Sequence, residues 1–475
     1  MNKYDAVVFV SLDTLRADAI GACPWKLWPK KYVGARAPST RGLDALAERS
    51  AFLSHCISSA PYTSASHATY FTGKWPLRHG VYEFFNRPLA SDTIFTDARK
   101  LGYRTLFKVD FPIILGKYLG FTRDADEYIV EDDDAFLTSL SRPGPVMAFV
   151  HFGGIHIPYG FHNLTFGGDD YRAKVAELER EVDLREEPPS DQLVETFRSA
   201  EDLALLIRYK RVIQELYGAR SYDRLFQLYL EGVDHFMRRR FDPFLEKLQG
   251  LLEGRRYLLV VFGDHGEEYD DESYGHFNSA AEGVLRVPVM FSGPDVAPAV
   301  HVERARTVDI APTVLEAIGA PAERIRSMDG TSMAPTIFGG EAYAARDAVA
   351  QSYISLASEF VAYQKELLAT GERPGQLRHV RYKEAAYSGA DKLVRQTHSY
   401  VLEEGEWALS RCPARLALDR LMPDLTREPF ADAGRSSALL EQLDRYNQIQ
   451  VESARGPVEV TAGIRSELQS MGYRV

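Results

Sequence analysis

The segment Tyr257-Leu-Leu-Val-Val-Phe262 is an unbroken apolar run, followed at once by Gly263-Asp264-His265-Gly266-Glu267. A short run of this kind, rich in β-branched residues and closed by glycine, reads as a strand buried on both faces, as parallel sheets require. Such a sheet needs a layer of helices on each side. The chain is therefore expected to be α/β, with a doubly wound, mostly parallel sheet flanked by helices. In folds of that class ligands bind beyond the carboxyl ends of the strands. Asp264 and His265 fall at such an end, and the glycines beside them give the backbone freedom to turn two metal-type ligands inward.

A second apolar run, Ala6-Val-Val-Phe-Val10, lies in a strand predicted over residues 5 to 13 and leads to Ser11-Leu-Asp13-Thr-Leu-Arg16-Ala-Asp18. Asp13 is either a site carboxylate or a cap for the next helix. Two more strands end in candidate groups. Tyr103-Arg-Thr-Leu-Phe-Lys108-Val-Asp110 ends near a lysine that could contact an anion or stay solvated. Pro145-Val-Met-Ala-Phe-Val-His151-Phe leads to the loop Gly153-Gly-Ile-His156-Ile-Pro-Tyr159, where His156 could serve a site or stack on its aromatic neighbours. A further strand is read in Leu285 to Phe291.

The nucleophile candidate is Thr63, in Ala60-Pro-Tyr-Thr63-Ser-Ala-Ser-His67-Ala-Thr-Tyr-Phe-Thr72-Gly73. A hydroxyl just before a helical run sits where backbone N–H groups and the helix dipole favour an anion. Threonine needs a base or a cation to become nucleophilic at neutral pH. The alternative makes Thr63, Ser64 and Ser66 helix caps and His67 a surface imidazole. Asp13, Thr63, Asp264 and His265 together form a plausible shell for a divalent cation, which weighs against that alternative.

Residues 162 to 250 show helical periodicity, as in Tyr171 to Val182 and Ser190 to Tyr217, and read as a helical insertion and lid over the site. Asp234 and His235 within it are adjacent on a helix and point apart. Thr307 to Gly319 reads as a helix with Asp309 near its N-cap, and Ile337-Phe-Gly-Gly340 as a turn. From about residue 346 the texture shifts to short strand-like pieces beginning at His379, and a last helix near Ser437 to Gln448. The division expected is a catalytic domain over 1–345 and a smaller C-terminal α+β subdomain over 346–475.

The chain has 475 residues, 45% hydrophobic and 26% charged, with a formal net charge of -11. Those values suit a soluble globular protein and argue against a nucleic-acid partner. No apolar run approaches the roughly 20 residues that cross a bilayer, and the amino-terminal segment is a strand rather than a leader, so a cytoplasmic protein without a membrane partner is expected. Three widely spaced cysteines, Cys23, Cys56 and Cys412, give neither a disulfide framework nor a zinc spacing and read as buried small residues.

In order along the chain, these segments resemble the sulfatase-like hydrolases of the alkaline phosphatase superfamily. Ser11 to Asp18 is similar to the family's first metal motif, Tyr62 to Pro76 to its nucleophile segment, Gly102 to Lys108 to the strand carrying its lysine, His156-Ile-Pro-Tyr159 to its His-Pro-Tyr loop and Gly263 to Glu267 to its second metal motif. Leu285-Arg-Val-Pro288, Asp309 to Thr313 and Ala417 to Asp424 match later signatures. The resemblance implies an alkaline phosphatase-like fold, an ester hydrolase and a small-molecule ester substrate. It also implies a divalent ion (Mn, Zn, Mg or Ca; one expected, with room for a second if His156 and His276 turn inward) held by Asp13, Thr63, Asp264 and His265. Sulfatases carry a cysteine or serine that becomes formylglycine, whereas this chain reads Thr63-Ser64-Ala65-Ser66-His67. Threonine cannot take that route. Lys108-Val-Asp110 likewise stands where the family has lysine and histidine.

The resemblance then favours phosphoric mono- or diester hydrolysis through a covalent Thr63 intermediate. Lys108 and backbone N–H groups would stabilise charge, His276 or His156 would protonate the leaving group, and His67 would lie beside the nucleophile. A sulfuric ester hydrolase without formylglycine is the alternative. A phosphoryl transferase and a catalytically silent binding module are further ones.

Overall fold

The computed structural model describes residues 4–82, 88–112, 114–161, 164–182, 200–276, 279–354, 380–403, 406–422 and 424–451. The expected helix start at Ser190 and strand start at His379 lie outside them. The main sheet contains β1 (Ala6–Leu12), β2 (Ser50–Ile57), β3 (Arg104–Val109), β4 (Glu127–Val130), β5 (Val146–Phe152), β6 (Tyr257–Gly263), β7 (Arg286–Ser292), β8 (Ala299–His301) and β9 (Ala305–Arg306). Their order is β8-β2-β7-β6-β1-β5-β3-β4, with β9 also on β2. Only β7 runs against its neighbours β2 and β6, and the remaining described pairs are parallel. The sheet is thus mostly parallel, as the unbroken apolar runs require.

Every residue of β1 is buried, and the period of two sends alternate side chains to opposite layers. Val8, Val10 and Leu12 join one core cluster and Val7 and Phe9 the other. The first layer contains Leu164–Glu181, Ala200–Gly218, Tyr222–Phe236 and Asp242–Leu252, which supply Val175, Val212, Leu225, Phe236 and Leu248 to the same cluster as β1, β5 and β6. These helices form a covering layer of the sheet. The last two are joined by a five-residue π-helical turn, Met237–Phe241. The second layer includes α1 (Thr63–Thr72), whose Ala68 and Phe71 pack with Phe9, Phe149 and Phe262.

A separate antiparallel sheet follows: β10 (Ala348–Ile354), β11 (Val380–Ser388), β12 (Asp391–Glu403), β13 (Glu406–Leu421) and β14 (Arg427–Pro429), paired in that order. The helix Ala433–Tyr446 covers it through Leu439, Leu443 and Tyr446. Ile57, Val284 and Leu285 meet Ala350, Ala385 and Tyr387 where the two sheets join. Two local expectations need correction, for residues 337–340 and for Cys412, while Asp309 stands at the expected N-cap. Residues 337–340 end a short helix, Ala334–Gly339, rather than forming a free turn. Asp309 occupies the N-cap position without capping, because its carboxylate is taken by Arg306 at 2.7 and 2.9 Å and by the Thr331 amide at 2.7 Å. Cys412 is only partly buried, unlike Cys23 and Cys56, and all three are free thiols.

Candidate active site

β1 and β6 are neighbours in register, Leu12 opposite Gly263, so the residues that follow them, Asp13 and Asp264, leave the sheet side by side. Thr14 takes a left-handed φ of 60°, and its amide donates to Asp264 Oδ1 at 3.1 Å. The His265 amide donates to the same oxygen at 2.9 Å. Arg16 binds the two turns together, with its guanidinium on Asp18 at 2.8 and 3.0 Å and on the Glu267 carbonyl at 2.8 Å. Gly266 has to be glycine here: a Cβ would stand 2.1 Å from the Gly283 carbonyl.

α1 starts directly over this corner. Its N-cap is Tyr62, and no side chain caps it. Thr63 Oγ1 instead donates to Asp13 Oδ2 at 3.3 Å and lies 3.3 Å from His265 Nε2. Ser66 Oγ and Ser58 Oγ donate to the Asp264 carbonyl at 2.8 and 2.7 Å, and Ser64 Oγ donates to the Ile114 carbonyl at 3.1 Å. The helix-cap alternative for these hydroxyls does not hold.

Three ligand atoms, from Asp13, Asp264 and His265, lie within 4.8 Å of one another, and all three residues are fully buried. Asp13 Oδ1 and Asp264 Oδ2 have no hydrogen-bond partner among the described residues. His265 Nε2 stands 3.5 Å from each of these oxygens. Two buried carboxylate oxygens without donors, facing an imidazole nitrogen and a hydroxyl, fit a divalent cation, since uncompensated buried charge is costly. Burial pushes the Asp13 carboxyl up to about 7, with His265 and the Thr63 hydrogen bond pulling the other way.

Burial pushes down three of the imidazoles around these residues, His151 and His276 to about 4 and His67 to about 3. The His276 ring lies 4.3 Å from that of His265, and the His156 ring 5.4 Å from His276. His276 Nδ1 faces Glu267 Oε2 at 3.2 Å, and burial pushes the Glu267 carboxyl up to about 8.

The family profile named Sulfatase matches residues 5–320, about two thirds of the chain and the whole of this site. The chain belongs to the Sulfatase family. It is 25% identical to a choline-sulfatase of Rhizobium meliloti (strain 1021) over 356 residues, 63% of this chain and 67% of that protein. Its fold is similar to that of a phosphonate monoester hydrolase from Silicibacter pomeroyi, at a TM-score of 0.57 and 16% identity, covering 94% of each chain. It is similar also to a 4S-sulf protein of glycosaminoglycan metabolism in Bacteroides thetaiotaomicron, at a TM-score of 0.57 and 16% identity, covering 93% of this chain and 94% of that one. This sulfatase-family protein is accordingly a hydrolase of esters.

The structure brings together Asp13, Thr63, Asp264 and His265, with His276 and then His156 next to them. It does not bring Lys108 to Thr63. Lys108 stands with Leu106 and Val150 on the opposite side of the sheet from α1, its Nζ on Asp110, on Asp133 at 2.8 Å and on the His151 carbonyl at 3.2 Å. Neither of its two sequence readings, anion contact or solvated charge, describes it. His67 is fully buried behind the nucleophile, between Ser11 Oγ at 2.8 Å and the Thr63 carbonyl at 2.7 Å. It supports α1 rather than reaching the hydroxyl. Asp234 and His235 are engaged elsewhere, with the Ser39 amide and the Phe161 ring.

Two site residues escaped the sequence reading. His151 Nε2 lies 3.1 Å from Asp13 Oδ2, and Glu267 backs His276. The signal for His151 was parity: it shares the face of Phe149, which packs against α1. No described helix is long and apolar enough to cross a membrane.

Proposed function

We propose that this chain hydrolyses phosphoric esters through a phosphothreonine formed on Thr63. The observation that carries the reading is the position of Thr63 Oγ1, 3.3 Å from both Asp13 Oδ2 and His265 Nε2, at the start of a buried helix. Asp13, Asp264, His265 and Thr63 would hold a divalent cation, which supplies charge neutralisation and a lowered pKa for a hydroxyl in contact with it.

The chain's own residues account for the remaining roles. The Thr63 hydroxyl hydrogen faces Asp13 Oδ2. Thr63 Oγ1 passes its hydrogen to Asp13 Oδ2 and forms the bond to phosphorus as the ester P–O bond breaks. The amides at the start of α1 face the charge that develops on the non-bridging oxygens. The departing oxygen takes its proton from the His276 ring, which takes one in turn at Nδ1 from the Glu267 carboxyl that burial pushes up to about 8. Water then gives a proton back to His276 and Glu267 as it attacks phosphorus, the P–Oγ1 bond breaks, and Asp13 Oδ2 returns the hydrogen to Thr63.

Lys108 takes no part in this scheme. Threonine at position 63 supports phosphoric over sulfuric esters, because its β-carbon bears a methyl group and cannot become an aldehyde. The 25% identity to a choline-sulfatase supports the second reading, a sulfuric ester hydrolase.

The test is turnover of p-nitrophenyl phosphate, bis-p-nitrophenyl phosphate and p-nitrophenyl sulfate by protein stripped of metal and resupplied with Mn, Zn, Mg or Ca. Metal-dependent phosphoester turnover, lost in Thr63→Ala, is expected. Turnover of the sulfate alone would overturn the reading in favour of the second one.

A further inference from the structure

We infer that Arg240 is a positioning residue for the carboxyl end of β5, and through it for Asp13, acting with Asp110, Asp133 and Lys108. The inference rests on Asp13 being a metal ligand, and not on which ester is cleaved.

β5 carries the main-chain register of the site on one edge. The Asp13 amide donates to the Phe152 carbonyl at 3.0 Å, and His151 Nε2 meets Asp13 Oδ2 at 3.1 Å. The next residues, from Gly153, lead to His156. On the opposite edge the ladder with β3 runs out at Lys108 opposite Val150. Two side chains continue it. Lys108 Nζ donates to the His151 carbonyl at 3.2 Å, and Asp110 Oδ2 accepts from the Gly153 amide at 2.9 Å. The peptide groups before and after Phe152 are therefore held by Lys108 and Asp110 on one edge, while the strand end holds Asp13 on the other.

Arg240 keeps those two side chains in place. Its guanidinium reaches Asp110 at 2.7 and 3.0 Å and Asp133 at 2.7 and 2.9 Å, while Lys108 bridges the same two carboxylates. All four carboxylate oxygens are paired, two charges of each sign cancel, and the cluster is buried except for the rim at Asp133, which is 17% exposed. The Phe152 ring lies 4.4 Å from Lys108 Nζ and 4.9 Å from the Arg240 guanidinium carbon, so both cations also lie against the side chain of the residue that Lys108 and Asp110 bracket.

The π-helical turn Met237–Phe241 explains how one helix delivers all of this. Residues five apart share a face in such a turn. Phe236 and Phe241 accordingly both pack on Phe152, with centroids at 5.8 and 6.0 Å, and Arg240 enters beside them. A buried ion cluster is a weak source of stability compared with apolar packing, so orientation is the better account of this one.

The experiment compares Arg240→Met and Arg240→Lys with the wild-type chain by calorimetric Mn2+ titration, kcat and KM, and the side-chain NMR resonances of His151. Arg240→Met is expected to weaken Mn2+ binding about 10- to 100-fold, the usual cost of losing a group behind a ligand. It should lower kcat with KM little changed, and move the His151 signals. Arg240→Lys should recover part of each. Wild-type Mn2+ affinity and kcat in Arg240→Met, whatever its melting temperature, would overturn the inference. If Arg240→Met does not fold, Asp133→Asn at the rim is expected to weaken Mn2+ binding roughly 3- to 10-fold, and unchanged affinity there would overturn it equally. A wild-type chain that binds Mn2+ but turns over no phosphoester would sink the proposed function alone, since the titration reads the inference directly.

Discussion

Two buried carboxylates, Asp13 and Asp110, follow the two strands that flank β5, at the same end of the sheet, and have opposite electrostatic fates. Both side chains are fully withdrawn from solvent. Among the described residues no lysine or arginine lies against Asp13, and burial pushes its carboxyl up to about 7. Asp110 is buried as deeply, yet Arg240 and Lys108 hold it well below the usual carboxylate range. Burial alone therefore does not say what an acid is for. An acid whose neighbours leave an oxygen without a donor is prepared for a ligand, and one whose oxygens are all taken is a clamp.

The comparison can be broken at several points. The largest expected effect is at Thr63. Thr63→Ala should lower turnover by roughly 10^3-fold or more while Mn2+ still binds, as separate assays of activity and titration heat would show. Loss of Mn2+ binding together with activity would instead make Thr63 chiefly a ligand.

Asp110→Asn comes next. It leaves Lys108 and Arg240 facing a neutral group, at a cost of about 3 kcal/mol in urea unfolding. The pH dependence follows from the depressed carboxyl. Its contribution is present above the unfolded carboxylate value of about 4 and is lost as pH falls toward its folded value. The difference between wild type and variant should therefore shrink on acidification below about pH 4.

Asp13→Asn should behave in the opposite way. In metal-free protein the raised carboxyl destabilises the fold as pH climbs from about 4, the unfolded value, to about 7, and Glu267 adds the same trend up to about 8. The variant should be more stable than wild type by about 1 kcal/mol at pH 8 without metal, and should lose the stabilisation that Mn2+ gives wild type. A destabilised variant that still gains from Mn2+ would refute the contrast between the two acids.

The smallest effect is at Ser66, whose hydroxyl donates to the Asp264 carbonyl at 2.8 Å. Ser66→Ala should cost roughly 0.5 to 1 kcal/mol, because Ser58 donates to the same oxygen at 2.7 Å and keeps it satisfied. A loss of several kcal/mol would show that Ser58 does not compensate.

The chain's order alone determined the parallel strands, the acids that end β1 and β6, and the threonine that opens α1. Those features are local: apolar runs of strand length, and polar residues placed directly after them. Tertiary structure decided what each polar group faces. Lys108 is one residue along a strand from Phe107, and that single step of parity turns it away from α1 and toward Arg240, which enters from a helix 132 positions later in the chain. His151 was visible only as the penultimate residue of a strand until β5 was set beside β1. Pairing across the sheet is a long-range choice, made by the combined burial of both faces, and no local pattern encodes which strand lies next to which.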